Sequence, residues 1–204
     1  ITGTEEEKEA KLCAVVDYVD GADGATLPEG VTQQDVEYIR SARMLHVGFV
    51  NEGIRKAADI IHAADGKVSV DAAYYKPYVY ENYDIFDIFI GSEYCFNGLL
   101  EELGIDTSKP LSDKEKFEVM RYVQSKGPEI VIFTFGADGC MGIYGDSTFS
   151  LPAMDVPIVD TTGAGDVFHG AFDAAYLNGL DIVSAAKYAT GVSSIKCTQM
   201  GGRA

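Results

Sequence analysis

The chain has 204 residues, of which 47% are hydrophobic, so it is long enough to bury a sizeable core in one domain. Its 32 acidic and 16 basic residues give a formal net charge of -16, which disfavours binding to nucleic acid or to an anionic membrane surface. No apolar run reaches the ~18 residues of a membrane span, and the 4 cysteines form no C-x-x-C pair. We therefore expect a cytoplasmic protein with reduced thiols.

Helical and strand patterns alternate through the first part of the chain. Thr32 and Asp35 form a near capping box at the start of the first helix, and apolar residues recur at helical spacing after Glu52. The predicted elements are, in order, a helix over 33–40, a strand over 44–47, a helix over 52–64, and strands over 67–71 and 83–90.

The same alternation continues to the end of the chain. Ser112 and Glu115 predict a capping box, and Gly145-Asp146 predicts the turn of a hairpin. The predicted elements are helices over 93–103 and 112–126, a strand over 129–135, a hairpin over 140–144 and 147–151, and a last helix over 181–196. Strands alternating with helices predict the α/β class, with a mostly parallel sheet between helices on both faces.

The stretch from Val159 to Gly170, VDTTGAGDVFHG, comes immediately before another predicted helix. A glycine turn at a helix start directs several backbone N–H groups at one point, where the helix dipole adds partial positive charge. Gly163, Ala164 and Gly165 are small enough to let a phosphate approach this backbone. Asp166 follows in the first helical turn, where its carboxylate is placed to take a proton from an attacking hydroxyl. The pattern predicts an anion hole beside a general base.

Two other interpretations of this stretch need separate treatment. It is also compatible with an elaborate N-cap in which Asp166 only complements the helix dipole. The dinucleotide pattern G-x-G-x-x-G fails because Phe168 occupies the position of the third glycine. The sequence contains no G-x-x-x-x-G-K-[ST] and so no P-loop.

The segment DTTGAGDVFHGAF, from Asp160 to Phe172, closely resembles the C-terminal signature of the PfkB, or ribokinase-like, carbohydrate kinases. Three supporting segments resemble other parts of that family's pattern. These are GADGA at 21–25, TFGADG at 134–139 and SIKCTQMGGRA at 194–204. The resemblance covers essentially the whole chain and implies a ribokinase-like three-layer α/β/α fold.

The resemblance also implies an activity, ATP-dependent phosphorylation of a sugar hydroxyl, with ATP, Mg²⁺ and K⁺ as the expected cofactors. It assigns the catalytic base to Asp166 and the anion hole to the segment 163–165. It places a monovalent cation, usually potassium, at Asp160 and Thr162. It gives Thr134, Gly136 and Gly139 to the nucleotide site.

The expected magnesium region departs from the family pattern. Ser92 and Cys95 stand where the family has Asn and Glu, and Glu93 is the one carboxylate left in that turn. A thiol is a poor ligand for Mg²⁺. Glu93 is therefore the candidate magnesium residue.

The beginning of the family pattern, which includes a sugar-binding Asp and a glycine pair, has no counterpart in this sequence. By the resemblance, residues 1–30 are a remnant of the lid and its junction, and 31–204 are the α/β core with the nucleotide site. We expect this chain alone to lack the family's N-terminal third and extreme C-terminus, to expose a sheet edge and to be inactive as a sugar kinase. The resemblance also allows a homodimer formed through the lid.

Two alternative functions remain open from the sequence. A nucleoside kinase uses the same architecture within the family that the chain resembles. A non-catalytic nucleotide- or sugar-binding relative is the other alternative, which Ser92 and Cys95 favour and the intact segment 163–166 disfavours.

Overall fold

The computed structural model describes residues 33–202 and folds them into a six-stranded sheet between two layers of helices. The strands are β1 Met44–Val47, β2 Lys67–Ala72, β3 Ile88–Ser92, β4 Ile130–Thr134, β5 Cys140–Tyr144 and β6 Ser147–Leu151. The helices are α1 Gln33–Arg40, α2 Glu52–His62, α3 Pro77–Tyr80, α4 Glu93–Glu102, α5 Asp113–Gln124, α6 Ala164–Leu177 and α7 Ile182–Lys196.

The strands lie in the sheet in chain order, from β1 to β6. Strands β1 to β4 are parallel, with Ile90 opposite Ile132 across β3 and β4. The last two strands are antiparallel additions, with Thr134 opposite Cys140. The α/β class and the mostly parallel sheet predicted from the sequence are confirmed.

Each parallel strand is covered on both of its faces. In β4, Val131 and Phe133 pack in the larger core cluster with α2, α4 and α5, whereas Ile130 and Ile132 pack in the second cluster with α6 and α7. All four of these side chains are buried. This double burial explains why the strand is a continuous apolar run in the sequence.

The strand predicted over 83–90 is wrong in its first half. Tyr83–Ile85 forms a 3₁₀ turn, and the strand starts at Ile88. The Asp87 carboxylate accepts hydrogen bonds from the backbone N–H of Val68 at 2.7 Å and from Lys67 Nζ at 3.0 Å. These bonds hold Asp87 at the edge of the core. The strand therefore begins at the next residue, Ile88, although strand-forming residues already occur from Tyr83 onward.

Other boundaries are closer to their predictions. Helix α2 ends at His62 rather than at Ala64. The capping box of Ser112 and Glu115 is present at the start of α5, and the hairpin strands have their predicted limits. These features depend on contacts between residues close in the chain, and so the sequence reveals them.

Two expectations concern the chain outside or at the edge of the described part. The proposed lid remnant, residues 1–30, lies outside the described residues, so the domain division stays a prediction. Within residues 33–202, β1 has β2 as its only strand neighbour, and β6 forms the other sheet edge.

None of the helices in this part of the chain is long and apolar enough to cross a membrane.

Candidate functional site

The turn before α6 requires glycine at its last position. Gly163 is the N-cap of α6 and has φ 76°, in the left-handed region that glycine favours. A Cβ atom at this position would lie 2.8 Å from the carbonyl oxygen of Gly202, which packs against the turn. The backbone of the turn is therefore held against the C-terminal part of the described chain.

The first turn of α6 has N–H groups without carbonyl partners inside the helix. The Ala164 N–H already donates to the Thr161 carbonyl at 3.1 Å. This leaves the N–H groups of Gly165 and Asp166 as the donors with helix-dipole polarity available to an anion. A Cβ atom at Gly165 would meet no atom within 4 Å, so there is open space in front of the turn.

A cavity of about 650 Å³ joins part of the predicted anion hole to the predicted nucleotide site. Ala164 and Gly165 line it from the start of α6, and Thr134, Gly136 and Gly139 line it from the turn after β4. Gly163 and Asp166 are not among its lining residues, and the side chain of Asp166 is exposed in the first helical turn. The tertiary structure thus brings together residues that are 25 or more positions apart in the sequence.

The turn after β4 also has a strict requirement for glycine. Gly139 has φ 87°, and a Cβ atom there would lie 2.0 Å from the Leu151 carbonyl oxygen. Gly136 has φ 54°, also in the left-handed region. The side chain of Thr134, at the end of β4, donates to the Gly91 carbonyl at 3.5 Å. The turn is therefore shaped by close backbone packing of the β4–β5 connection against the end of β6.

Sequence reasoning missed two further walls of the cavity. One is the segment after β6, which contributes Ala153, Met154 and Ile158. The other is α7, which contributes Thr190 and Ser194. The small polar residues at i and i+4 on α7 were the available signal, since they form a polar stripe on an otherwise Ala-rich buried face.

The Asp160 loop, defined here as residues 159–163, is attached to the end of α7. The carboxylate of Asp160 accepts the Thr162 N–H at 2.9 Å and the Gly201 N–H at 2.8 Å. These bonds, a further one from the Thr162 side chain and the charge of Lys196 lower the Asp160 pKa to about 2. Lys196 Nζ donates to the Asp160 main-chain carbonyl at 2.9 Å.

These contacts do not fit the monovalent-cation site expected at Asp160 and Thr162. Each carboxylate oxygen of Asp160 already accepts a backbone N–H, and its carbonyl oxygen already faces the Lys196 ammonium. A potassium ion is repelled by a neighbouring ammonium group. The Asp160 carbonyl thus already faces a fixed positive charge of the protein, and the cation site at Asp160 and Thr162 stays a prediction.

The region expected to bind magnesium is a helix cap. Ser92 is the N-cap of α4, where its hydroxyl oxygen accepts the N–H groups of Tyr94 and Cys95. Cys95 is buried, and burial raises the pKa of its thiol to about 12. Glu93 is exposed in the first turn of α4. Among the described residues, no three His, Cys, Asp or Glu side chains are grouped to hold a metal ion.

Comparison with known proteins decides the family. The model of the pfkB family carbohydrate kinases matches residues 15–204. The chain belongs to this family. It is 27% identical over 195 residues to a 5-dehydro-2-deoxygluconokinase of Shouchella clausii, an alignment that covers 90% of this chain and 58% of that protein. It is 29% identical over 108 residues to a nucleoside kinase of Methanothermobacter thermautotrophicus, covering 53% of this chain and 30% of the relative.

Solved structures of PfkB-like proteins show the same fold. An Arabidopsis thaliana ribokinase complexed with ribose and ATP superposes with a TM-score of 0.74 at 23% identity. The match covers 85% of this chain and 55% of the ribokinase chain. The chain thus spans about half of that structure, and the ribokinase-like α/β fold is confirmed for the part it spans.

A second polar group lies beneath α6 and is distinct from the cavity of this PfkB chain. The histidine cluster, as we call it, consists of His46, Ser69, Asp71, His169 and Asp173. His46 Nδ1 lies 2.8 Å from the buried Asp173 carboxylate, to which the Ser69 hydroxyl donates at 3.0 Å. His169 Nε2 lies 3.3 Å from Asp71 Oδ1, and the two imidazole rings are 5.6 Å apart.

The two histidines of this cluster have opposite pKa shifts. Burial alone would lower the pKa of His46, but its hydrogen bond to Asp173 and the charges of Asp173, Asp71 and Asp166 raise it. Burial, reinforced by the charge of His46, lowers the His169 pKa to about 3. His169 is therefore neutral, and its buried Nδ1 has no hydrogen-bond partner within the described part of the chain.

Proposed function

We propose that the protein is an ATP-dependent kinase that transfers the γ-phosphate to a hydroxyl of a sugar or sugar-like molecule. The observation that carries this proposal is the shared cavity, in which the turn after β4 and the start of α6 face one space beside Asp166. Membership of the PfkB family supports the kinase activity, and the cavity volume is in the range of small-molecule sites.

In this proposal each group around the turn has one role. The Gly165 and Asp166 N–H groups and the α6 dipole stabilise negative charge on the transferred phosphoryl group. The hydroxyl oxygen of the sugar bonds to the γ-phosphorus while the bond from that phosphorus to ADP breaks. The carboxylate of Asp166 accepts the proton that this hydroxyl loses. We assign contact with the nucleotide to Thr134, Gly136 and Gly139, which line the same cavity.

In this proposal Mg²⁺ would be bound mainly by the nucleotide phosphates and only to a small extent by protein side chains. Mg²⁺ in phosphoryl-transfer sites keeps several waters and takes one or two carboxylates together with phosphate oxygens. Glu93 is exposed and is the carboxylate that we propose for this role. The metal would neutralise charge on the phosphates, while the protein groups named above orient the reacting atoms.

A nucleoside is the second candidate for the acceptor. Tyr74 and Tyr94 are exposed, and their rings lie 5.7 Å apart beside the carboxyl ends of β2 and β3. An exposed aromatic pair offers a base a surface on which to stack. The matched Methanothermobacter protein is a nucleoside kinase, which also supports this alternative.

Measuring ATP consumption by the full-length protein over a panel of sugars and nucleosides tests these proposals. Phosphorylation of one class identifies the acceptor. ATP binding without phosphoryl transfer to any acceptor would instead favour the non-catalytic relative.

A further inference from the structure

The burial of Lys196 is unusual and needs an explanation. It is the last residue of α7, and its relative exposure is 3%. Among residues 36–202 it is the one lysine or arginine that is buried. Lysine is almost never fully buried unless its ammonium group is paired, so the pairing of this side chain indicates its role.

The partner of the Lys196 side chain is Asp160, in the loop that precedes the proposed anion hole in the chain. Its Nζ donates to the Asp160 carbonyl at 2.9 Å, and the negative charge of Asp160 is close enough to interact with it. The Cys197 carbonyl, next in the chain, accepts the N–H groups of Val159 and Asp160 at 2.8 and 3.2 Å. The end of α7 therefore holds this loop by both side-chain and main-chain bonds.

The same loop continues into the predicted phosphate site. Asp160 is three residues before Gly163, whose backbone packs against Gly202 just beyond the end of α7. A positive charge on the Asp160 carbonyl orients the peptide groups of the turn and strengthens the positive field in front of it. This is the effect that the family resemblance attributes to a bound cation.

We propose that the Lys196 ammonium takes the place of the monovalent cation, so that phosphate binding at the start of α6 does not depend on potassium. The inference rests on the proposed function, since it identifies what supports the same anion site. A tethered ammonium provides the same unit charge without a separate ion-binding step. The burial of Lys196, at 3% relative exposure, is the second observation that supports it, because the ammonium group has a fixed place beside the Asp160 carbonyl.

The experiment compares ATP affinity in potassium chloride and in tetramethylammonium chloride at equal ionic strength. It uses the full-length protein and isothermal titration calorimetry. The variants are Lys196→Ala, which removes the charge and opens space, and Lys196→Met, which removes the charge and keeps the stem. Lys187→Ala is the control, because Lys187 is exposed on the same helix.

We expect wild type and Lys187→Ala to bind ATP equally in both salts. Lys196→Ala should bind about tenfold more weakly in tetramethylammonium, because a charged hydrogen bond is lost, and should recover in potassium. Lys196→Met should stay weak in both salts, since its methyl group fills the space that an ion would need. If Lys196 had a purely structural role, potassium would not specifically restore the ATP affinity of Lys196→Ala.

Three results would overturn the inference. They are potassium dependence in wild type, unchanged affinity in Lys196→Ala, and weak binding by Lys196→Ala in both salts. Melting temperatures of the same proteins in the two salts without nucleotide provide an independent measure of cation binding. Should wild type fail to bind ATP, potassium-specific stabilisation confined to Lys196→Ala would support the lysine inference while the kinase proposal failed.

Discussion

Two polar regions lie along helix α6, and they are built in different ways. In the Asp160 loop, before the helix, backbone N–H groups donate to the Asp160 carboxylate, and Lys196 donates to the Asp160 carbonyl. The histidine cluster, beneath the helix, is held by side chains from β1, β2 and α6.

The two regions differ in how their charge responds to pH. The carboxylate of Asp160 has a pKa of about 2, so it stays ionised throughout the neutral range. The histidine cluster contains one imidazole whose pKa is raised and one whose pKa is lowered to about 3. The charge of the Asp160 carboxylate is therefore constant over the neutral range, whereas the histidine cluster couples folding stability to pH.

The largest expected effect is on catalysis, at the helix start between the two regions. Asp166→Asn should leave ATP affinity nearly unchanged and lower turnover by roughly 10²–10⁴, the usual loss when a general base is removed. Steady-state kinetics and calorimetry on the full-length protein measure both quantities. Turnover close to wild type would remove Asp166 from the proposed role.

The next effect tests the histidine cluster. Asp173→Asn keeps the shape of a buried side chain but leaves His46 without its charged partner, and we expect a loss of roughly 3 kcal/mol in unfolding free energy. The raised His46 pKa contributes stability that is complete below the unfolded pKa of about 6.5 and is lost as the pH rises through the folded value. The loss should thus be larger at pH 6 than at pH 9.

Urea unfolding of wild type and variant at the two pH values measures this difference. Asp146→Asn, at an exposed position in the hairpin turn, is the matched control and should change neither stability nor its pH dependence. An equal loss at both pH values would show that the charge of His46 is not involved.

A smaller effect is expected for the backbone of the turn. Gly163→Ala forces a side chain into the left-handed region and against the Gly202 carbonyl, at an expected strain of roughly 1–3 kcal/mol. ATP affinity should fall with the stability, because the same turn forms the proposed anion site. Gly170→Ala on the exposed side of α6 meets no atom within 4 Å and should be neutral or stabilising. Similar melting temperatures for both variants would contradict this account.

The last effect is a change of stability with pH, which is small for each tenth of a pH unit. Because the His169 pKa is about 3 in the folded protein, the unfolded chain takes up a proton below pH ~6.5 that the folded protein does not. This costs at most about 1.4 kcal/mol of stability per pH unit. In His169→Gln, stability should fall less steeply between pH 6.5 and pH ~4. Parallel curves for wild type and variant would show that His169 does not titrate on unfolding.

Local features of the fold were predictable because neighbours in the chain determine them. The hairpin around Gly145 and Asp146 and the capping box of Ser112 and Glu115 need only a few consecutive residues. The strand over 83–90 was predicted wrongly because its start depends on Asp87, whose partners Lys67 and Val68 belong to another strand. Strand-forming residues alone do not reveal that competition.

The sequence by itself predicted an anion hole and a base at the start of α6. The glycines, the small residues and Asp166 are contiguous, and their backbone requirements are visible without knowledge of the rest of the protein. It also indicated the layered α/β class, since helical and strand periodicities alternate along the chain.

Only the tertiary structure decided which distant groups meet around α6. Lys196 reaches Asp160 from 36 residues away, and Ser69 meets Asp173 across 104 residues. The parallel sheet buries both of its faces, and this burial sets the positions of α6 and α7 over the strands. Because those positions depend on packing of the whole core and not on local preference, the contacts they create are absent from any single stretch of sequence.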